Sequence, residues 1–126
     1  KKKPMKKILI VDDEPNILMA LEYTLKKNNF EVFIARDGEE AIHIAKEKKP
    51  DVLVLDIMMP KVDGFEVLEY VKFNSDLQET KVIFLSAKNK EKDIQKGIDK
   101  GANAYLTKPF SMKKLIQEIE NQILVN

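Results

Sequence analysis

At 126 residues, with 44% apolar and 34% charged side chains, the chain fits one domain with a real core and is too apolar to be disordered. Its 22 Lys and Arg against 21 Asp and Glu hide an asymmetry: Lys1, Lys2, Lys3, Lys6 and Lys7 supply five of the cations, leaving 17 against 21 for residues 8–126 and no basic face for a phosphate backbone. Zero cysteines remove disulfides, thiolate metal sites and thiol nucleophiles, and no run approaches the ~18 apolar residues of a membrane span.

Lys1 to Pro4 precede Met5, which suits a natural start, so residues 1–5 read as a tail or an added remnant, with a solvated basic arm as the alternative. The domain proper is expected over residues 6–124. The lysines ahead of Ile8-Leu9-Ile10-Val11 imitate a signal peptide, but that apolar run is shorter than the about seven residues such a signal needs, and acids cut it off. A soluble, cytoplasmic protein is expected, with no membrane partner and no direct nucleic-acid contact.

Five short apolar runs read as strands: Ile8 to Val11, Val32 to Ala35, Val52 to Leu55, Val82 to Leu85 and Ala104 to Leu106. The first, third and fourth lack polar-apolar alternation, as strands covered on both faces do. Between them lie helical patterns carried by Ile17, Leu18, Leu21 and Leu25, by Ala41, Ile42 and Ala45, by Phe65, Leu68 and Val71, by Ile94 and Ile98, and by Leu115, Ile116, Ile119 and Ile123. Pro15 suits a first helical turn, Asp37 with Glu40 matches a capping box, Ser111 caps the last helix, and Gly101 follows the fourth. Strict β-α alternation with short connections predicts an α/β fold, a five-stranded parallel sheet with helices on both faces.

In such a sheet ligands bind beyond the carboxyl ends of the strands, where strand order reverses. Asp12 and Asp13 follow the first strand, Asp56 the third, Ser86 the fourth, and Thr107 and Lys108 the fifth. Singly, each has an ordinary structural explanation as a helix cap, a turn residue or a solvated lysine. Together they share one rim. Three carboxylates crowded there repel and call for a cation. Oxygen-only ligands with room for water favour Mg²⁺ over a fully caged Ca²⁺. His43, the only histidine, reads as a surface residue of the second helix. With Mg²⁺ and Lys108 offsetting the carboxylates, the rim can accept one more anionic group.

ILIVDDEP at the first strand, VLVLDIMMPKVDG at the third, VIFLSA at the fourth and GANAYLTKPF at the fifth together resemble the receiver domains of two-component response regulators, over about residues 6 to 124. The resemblance implies a flavodoxin-like sheet of order 2-1-3-4-5. It implies that Asp56 accepts a phosphoryl group from the phosphohistidine of a sensor kinase or phosphotransfer protein. It implies Mg²⁺ held by Asp13, Asp56 and the Met58 backbone carbonyl, with Asp12 ligating through water, and Lys108 and Ser86 contacting phosphoryl oxygens. The protein then catalyses its own phosphorylation and dephosphorylation without being an enzyme on other substrates. Ser86 and Tyr105 would form the switch, read by an output protein or domain on the face of helix four, strand five and helix five, with phosphorylation-dependent homodimerisation as one outcome. The Lys108–Pro109 bond is expected cis, and Pro60 and Gly64 are expected to shape the loop under the site. Met58 and Lys88 occupy positions that tune phosphoryl loss; an apolar Met58 cannot position an attacking water, so slow loss is expected. Met19, Met59 and Met112 read as gap fillers or loop contacts.

Three other readings compete. A haloacid-dehalogenase-type phosphatase needs a second acid two residues past its nucleophile, where Met58 stands. A flavodoxin-like flavin binder needs a hydroxyl- and glycine-rich loop after strand one, where DDEP would repel phosphate. A receiver that has lost phosphorylation would not retain Asp12, Asp13, Asp56, Ser86 and Lys108 together. Within the family, Asn103 and Ala104 replace acids common at winged-helix regulator dimer interfaces, which favours, slightly, a stand-alone signalling chain over a receiver cut from a longer regulator. The lysines Lys88, Lys90, Lys92 and Lys96 mark a docking face or a solvated one.

Overall fold

A computed structural model describes residues 5–59 and 61–124. Lys1 to Pro4 and Pro60, to which the sequence assigned a tail and a loop-shaping role, lie outside the described residues. The described residues form five strands, β1 (Lys7–Val11), β2 (Glu31–Ala35), β3 (Val52–Asp56), β4 (Lys81–Ser86) and β5 (Ala104–Thr107), alternating with α1 (Pro15–Lys27), α2 (Gly38–Lys48), α3 (Gly64–Phe73), α4 (Glu91–Asp99) and α5 (Met112–Leu124). The sheet is parallel, in the order β2-β1-β3-β4-β5. Each strand contains its predicted run and extends it by a residue or two.

Two cores follow from the period-two geometry of strands. Leu9, Val11, Leu53, Leu55, Val82 and Phe84 point to one face, packed with Ala41 and Ala45 of α2 and Val67, Leu68 and Val71 of α3. Ile8, Ile10, Val52, Val54, Ile83 and Leu85 point to the other, packed with Leu18, Leu21 and Leu25 of α1 and Leu115 and Ile119 of α5. β1, β3 and β4 are therefore buried on both sides, which is why their sequences show no alternation. Since β2 lies on one side of β1 and β3 on the other, the connections leaving the carboxyl ends of β1 and β3 run apart and open a crevice there.

The punctuation is largely as the sequence implies. Pro15 opens α1, the Ser111 hydroxyl accepts from Lys114 N–H at 3.0 Å at the start of α5, and Gly101 follows α4 at φ +112°. Two details differ. Asp37 caps α2 by accepting from Glu40 N–H at 2.8 Å, but the Glu40 carboxylate accepts from Arg36 N–H at 2.8 Å, so the box does not close on Asp37. The closed box lies at α3, where Asp63 and Glu66 each accept from the other's backbone N–H, at 3.0 and 3.3 Å. In α4 Gly97 is the buried residue and Ile98 is 40% exposed, because the helix sets its smallest residue against Phe84 and Tyr105.

The loop from β3 to α3 is pinned by Gly64, whose N–H donates to Ile57 carbonyl at 2.9 Å. A Cβ there would stand 2.6 Å from Ile57 Cα and 2.8 Å from Asp56 carbonyl oxygen. Both obstacles are backbone and cannot rotate away. Gly64→Ala should therefore destabilise the fold by about 1–3 kcal/mol, read as a lowered urea midpoint at unchanged slope.

Candidate phosphoacceptor site

The crevice gathers side chains from four strand ends. Asp12, directly after β1, is fully buried. One of its oxygens accepts from Glu14 N–H at 2.9 Å and the other from Lys108 Nζ at 2.9 Å. Asp13 beside it is exposed to solvent. Asp56 ends β3 at 5% exposure, with Oδ1 accepting from Met58 N–H at 3.2 Å and Oδ2 3.5 Å from Lys108 Nζ. Asp12, Asp13 and Asp56 each offer an oxygen within 4.8 Å of the other two. This donor set, carboxylate oxygen alone and open to water at Asp13, fits a hard divalent cation such as Mg²⁺.

The other residues singled out by the sequence also arrive here. Ser86 ends β4, fully buried, and its hydroxyl accepts from Lys88 N–H at 3.1 Å. Lys108 follows β5; its N–H donates to Ser86 carbonyl at 2.8 Å, and the Lys108–Pro109 bond is cis. Tyr105, half-buried on β5, donates its hydroxyl to Lys88 carbonyl at 2.8 Å, so one residue, Lys88, bonds both Ser86 and Tyr105. Behind them Phe84 packs edge-on against Phe65 and Tyr105, with centroids 5.4 and 6.1 Å apart. Met58 is 57% exposed at the mouth of the crevice. His43 is exposed on α2 and does not join the site.

One participant was missed. The Glu14 carboxylate lies 3.3 Å from Lys108 Nζ, making it a third acid on that amine. Its presence in DDEP was the available signal, but an acid just before a helix has an ordinary explanation at a helix N-terminus, and nothing in the spacing reveals a contact 94 residues away.

The chain matches the family model for the response regulator receiver domain over residues 8–120. It belongs to that family. Among curated proteins it is 44% identical over 114 residues to the alkaline phosphatase synthesis transcriptional regulatory protein PhoP of Bacillus subtilis, a match covering 87% of this chain and 45% of that one. The chain thus spans less than half the length of that relative. Among solved structures, the chemotaxis response regulator CheY4 of Vibrio cholerae superposes with TM-score 0.88 at 32% identity, over 94% of this chain and 99% of the other. The BeF3-activated DrrB receiver domain gives 0.84 at 31%, over 95% and 98%. The chain is a receiver domain of two-component signalling, a class of autophosphorylating phosphoacceptors that bind Mg²⁺ at an acidic pocket. Among the described residues no helix is long and apolar enough to cross a membrane.

The electrostatics of this receiver follow from its crowding. Burial, reinforced by the charges of Asp12 and Asp13, raises the Asp56 carboxyl to about 6, against the opposing pull of Lys108 and Met58 N–H. Burial alone would lower the Lys108 amine, but the bond to Asp12, the charges of Asp56 and Asp12 and the bond to Glu14 outweigh it and hold the amine above the usual lysine range. An acid raised in the folded state binds its proton more tightly there than in the unfolded chain, so its ionisation costs stability as pH rises through about 6. In metal-free protein Asp56→Asn should therefore be more stable than the wild type by about 1–3 kcal/mol at about pH 8, the difference fading toward about pH 4. Denaturant melts across that range check the sign, and Mg²⁺ should raise the wild type more than the variant.

Proposed function

We propose that this receiver is a phosphorylation-dependent switch in which Asp56 takes a phosphoryl group from the phosphohistidine of a sensor kinase or phosphotransfer protein. One observation carries the reading: the Asp56 carboxylate and the Lys108 amine stand 3.5 Å apart amid acids whose oxygens converge within 4.8 Å. An Asp56 carboxylate oxygen attacks phosphorus as the donor's P–N bond breaks, and the electron pair leaves with the imidazole nitrogen, which is reprotonated. Lys108 pairs with one phosphoryl oxygen and the Ser86 hydroxyl donates to another. Asp13, Asp56 and the Met58 carbonyl, with Asp12 through water, would hold Mg²⁺, which when bound neutralises charge on the transferring oxygens. Dephosphorylation is the attack of water on the same phosphorus, releasing phosphate and restoring the carboxylate.

The hydrogen bonds from Lys88 to Ser86 and from Tyr105 to Lys88 support a switch in which Ser86 moves toward the phosphoryl group and Tyr105 follows the loop. The output partner or domain would read α4, β5 and α5, and phosphorylated homodimers are one form of that output. Likeness to a transcriptional regulator of about twice the length favours a transcriptional output, with the receiver, residues 6–124, making no direct contact with nucleic acid. The protein would work in the cytoplasm.

Acetyl phosphate with Mg²⁺ should add one phosphoryl group by intact mass, and neither Mg²⁺-free protein nor Asp56→Asn should gain it; labelling of the variant would end the assignment. Lys108→Met should slow labelling by about 10²-fold, the cost of deleting an aimed electrostatic partner. With the exposed thioether of Met58 at the mouth, the phosphoryl group should persist for minutes or longer in the isolated protein. A half-life of seconds would count against Met58 as the cause of slow loss.

A further inference from the structure

We propose that Glu14 is a positioning residue for phosphoryl transfer: its carboxylate holds the Lys108 amine in the unphosphorylated protein and releases it when a phosphoryl group forms on Asp56. The inference rests on the reading of Asp56 as acceptor.

An ammonium group has three N–H donors, and Lys108 Nζ meets three carboxylates, Asp12 at 2.9 Å, Glu14 at 3.3 Å and Asp56 at 3.5 Å. Two of the three donors are hydrogen-bonded, to Asp12 and to Glu14, and the Asp56 contact is ionic. A phosphoryl oxygen on Asp56 inherits the ionic contact, and an amine that closes on it must move away from one of its two hydrogen-bond partners. Asp12 is the wrong one to lose, because it is fully buried and would be left as an unpaired charge. Glu14 has a side chain 60% exposed, so water can replace the amine at small cost. The amine is also nearer to Glu14 than to Asp56, as expected of a contact that restrains it.

The local structure of α1 supplies a second, independent observation. Glu14 is the N-cap residue: its backbone carbonyl accepts from Ile17 and Leu18 N–H, each at 3.1 Å. Short polar side chains such as Asp at this position bond the first free N–H groups of their own helix. The Glu14 side chain makes no such bond and reaches across the rim to Lys108 instead. The helix forgoes a cap, and the amine gains a restraint.

Two variants separate holding the amine from merely adding negative charge near the acceptor. Glu14→Gln removes the charge at equal length. Glu14→Asp keeps the charge, but its shorter side chain suits the cap of α1 and no longer spans to Lys108. Rates of Asp56 labelling by acetyl phosphate with Mg²⁺ are followed by intact mass at low and high salt. An exposed ion pair is worth at most about five-fold in an equilibrium, so both variants should label about three- to five-fold faster than wild type at low salt, with the gap narrowing at high salt.

If Glu14→Asp behaves as wild type while Glu14→Gln is fast, charge alone acts and the holding role is wrong. Equal rates for all three proteins, or a slower Glu14→Gln, also overturn it. These outcomes differ from failure of the acceptor reading, in which wild type takes no phosphoryl group, or Asp56→Asn takes one equally well.

Discussion

The site depends on one unfavourable encounter, the approach of carboxylates that the sheet forces together. Asp12 follows β1 and Asp56 ends β3, neighbouring strands whose register pairs Val11 with Leu55, so the ladder holds their backbones side by side. Lys108 is the only cation the described residues bring within 4 Å of them, and one amine cannot satisfy three acids in full. Burial raises the Asp56 carboxyl, and the remaining imbalance adds to the rise. The same imbalance makes a divalent cation welcome there. Repulsion that the sheet fixes and a cation relieves makes the site sensitive to added charge.

The sequence made the fold legible because its cues agree across levels. Unbroken apolar runs marked β1, β3 and β4, strict alternation marked the parallel crossovers, and Pro15, Ser111 and Gly101 marked helix ends. It was also legible that Asp12, Asp13, Asp56, Ser86 and Lys108 share a rim, since strand ends determine position to within a residue. Side-chain reach was not. Glu14 turns from its helix toward Lys108, and Glu40 bonds Arg36 rather than Asp37; both choices depend on rotamers and on neighbours distant in sequence. Periodicity failed at α4 for a related reason. Ile94 and Ile98 suggested an apolar stripe, but close approach to Phe84 and Tyr105 favours the residue without a side chain, Gly97.

That departure at α4 bears on where a change at Ser86 would be felt. α1 buries Leu18, Leu21 and Leu25, and α3 buries Val67, Leu68 and Val71 beside Gly64. α4 buries Gly97 alone, with a Cβ-free contact and little apolar area to hold it. Its other attachments are polar or partial: Lys96 rests over the Phe65 ring at 4.6 Å, and the loop before it hangs on Ser86 and Tyr105 through Lys88. Elements with little buried apolar area open at the lowest free energy. β5 beside it is an edge strand with one buried residue, Leu106. A tug on Ser86 therefore meets a rigid sheet on the β3 side, where β4 is buried throughout its length beyond Lys81, and a loosely held helix on the other. Were Ser86 drawn toward Asp56 as proposed, displacement would take the softer route, toward α4 and β5.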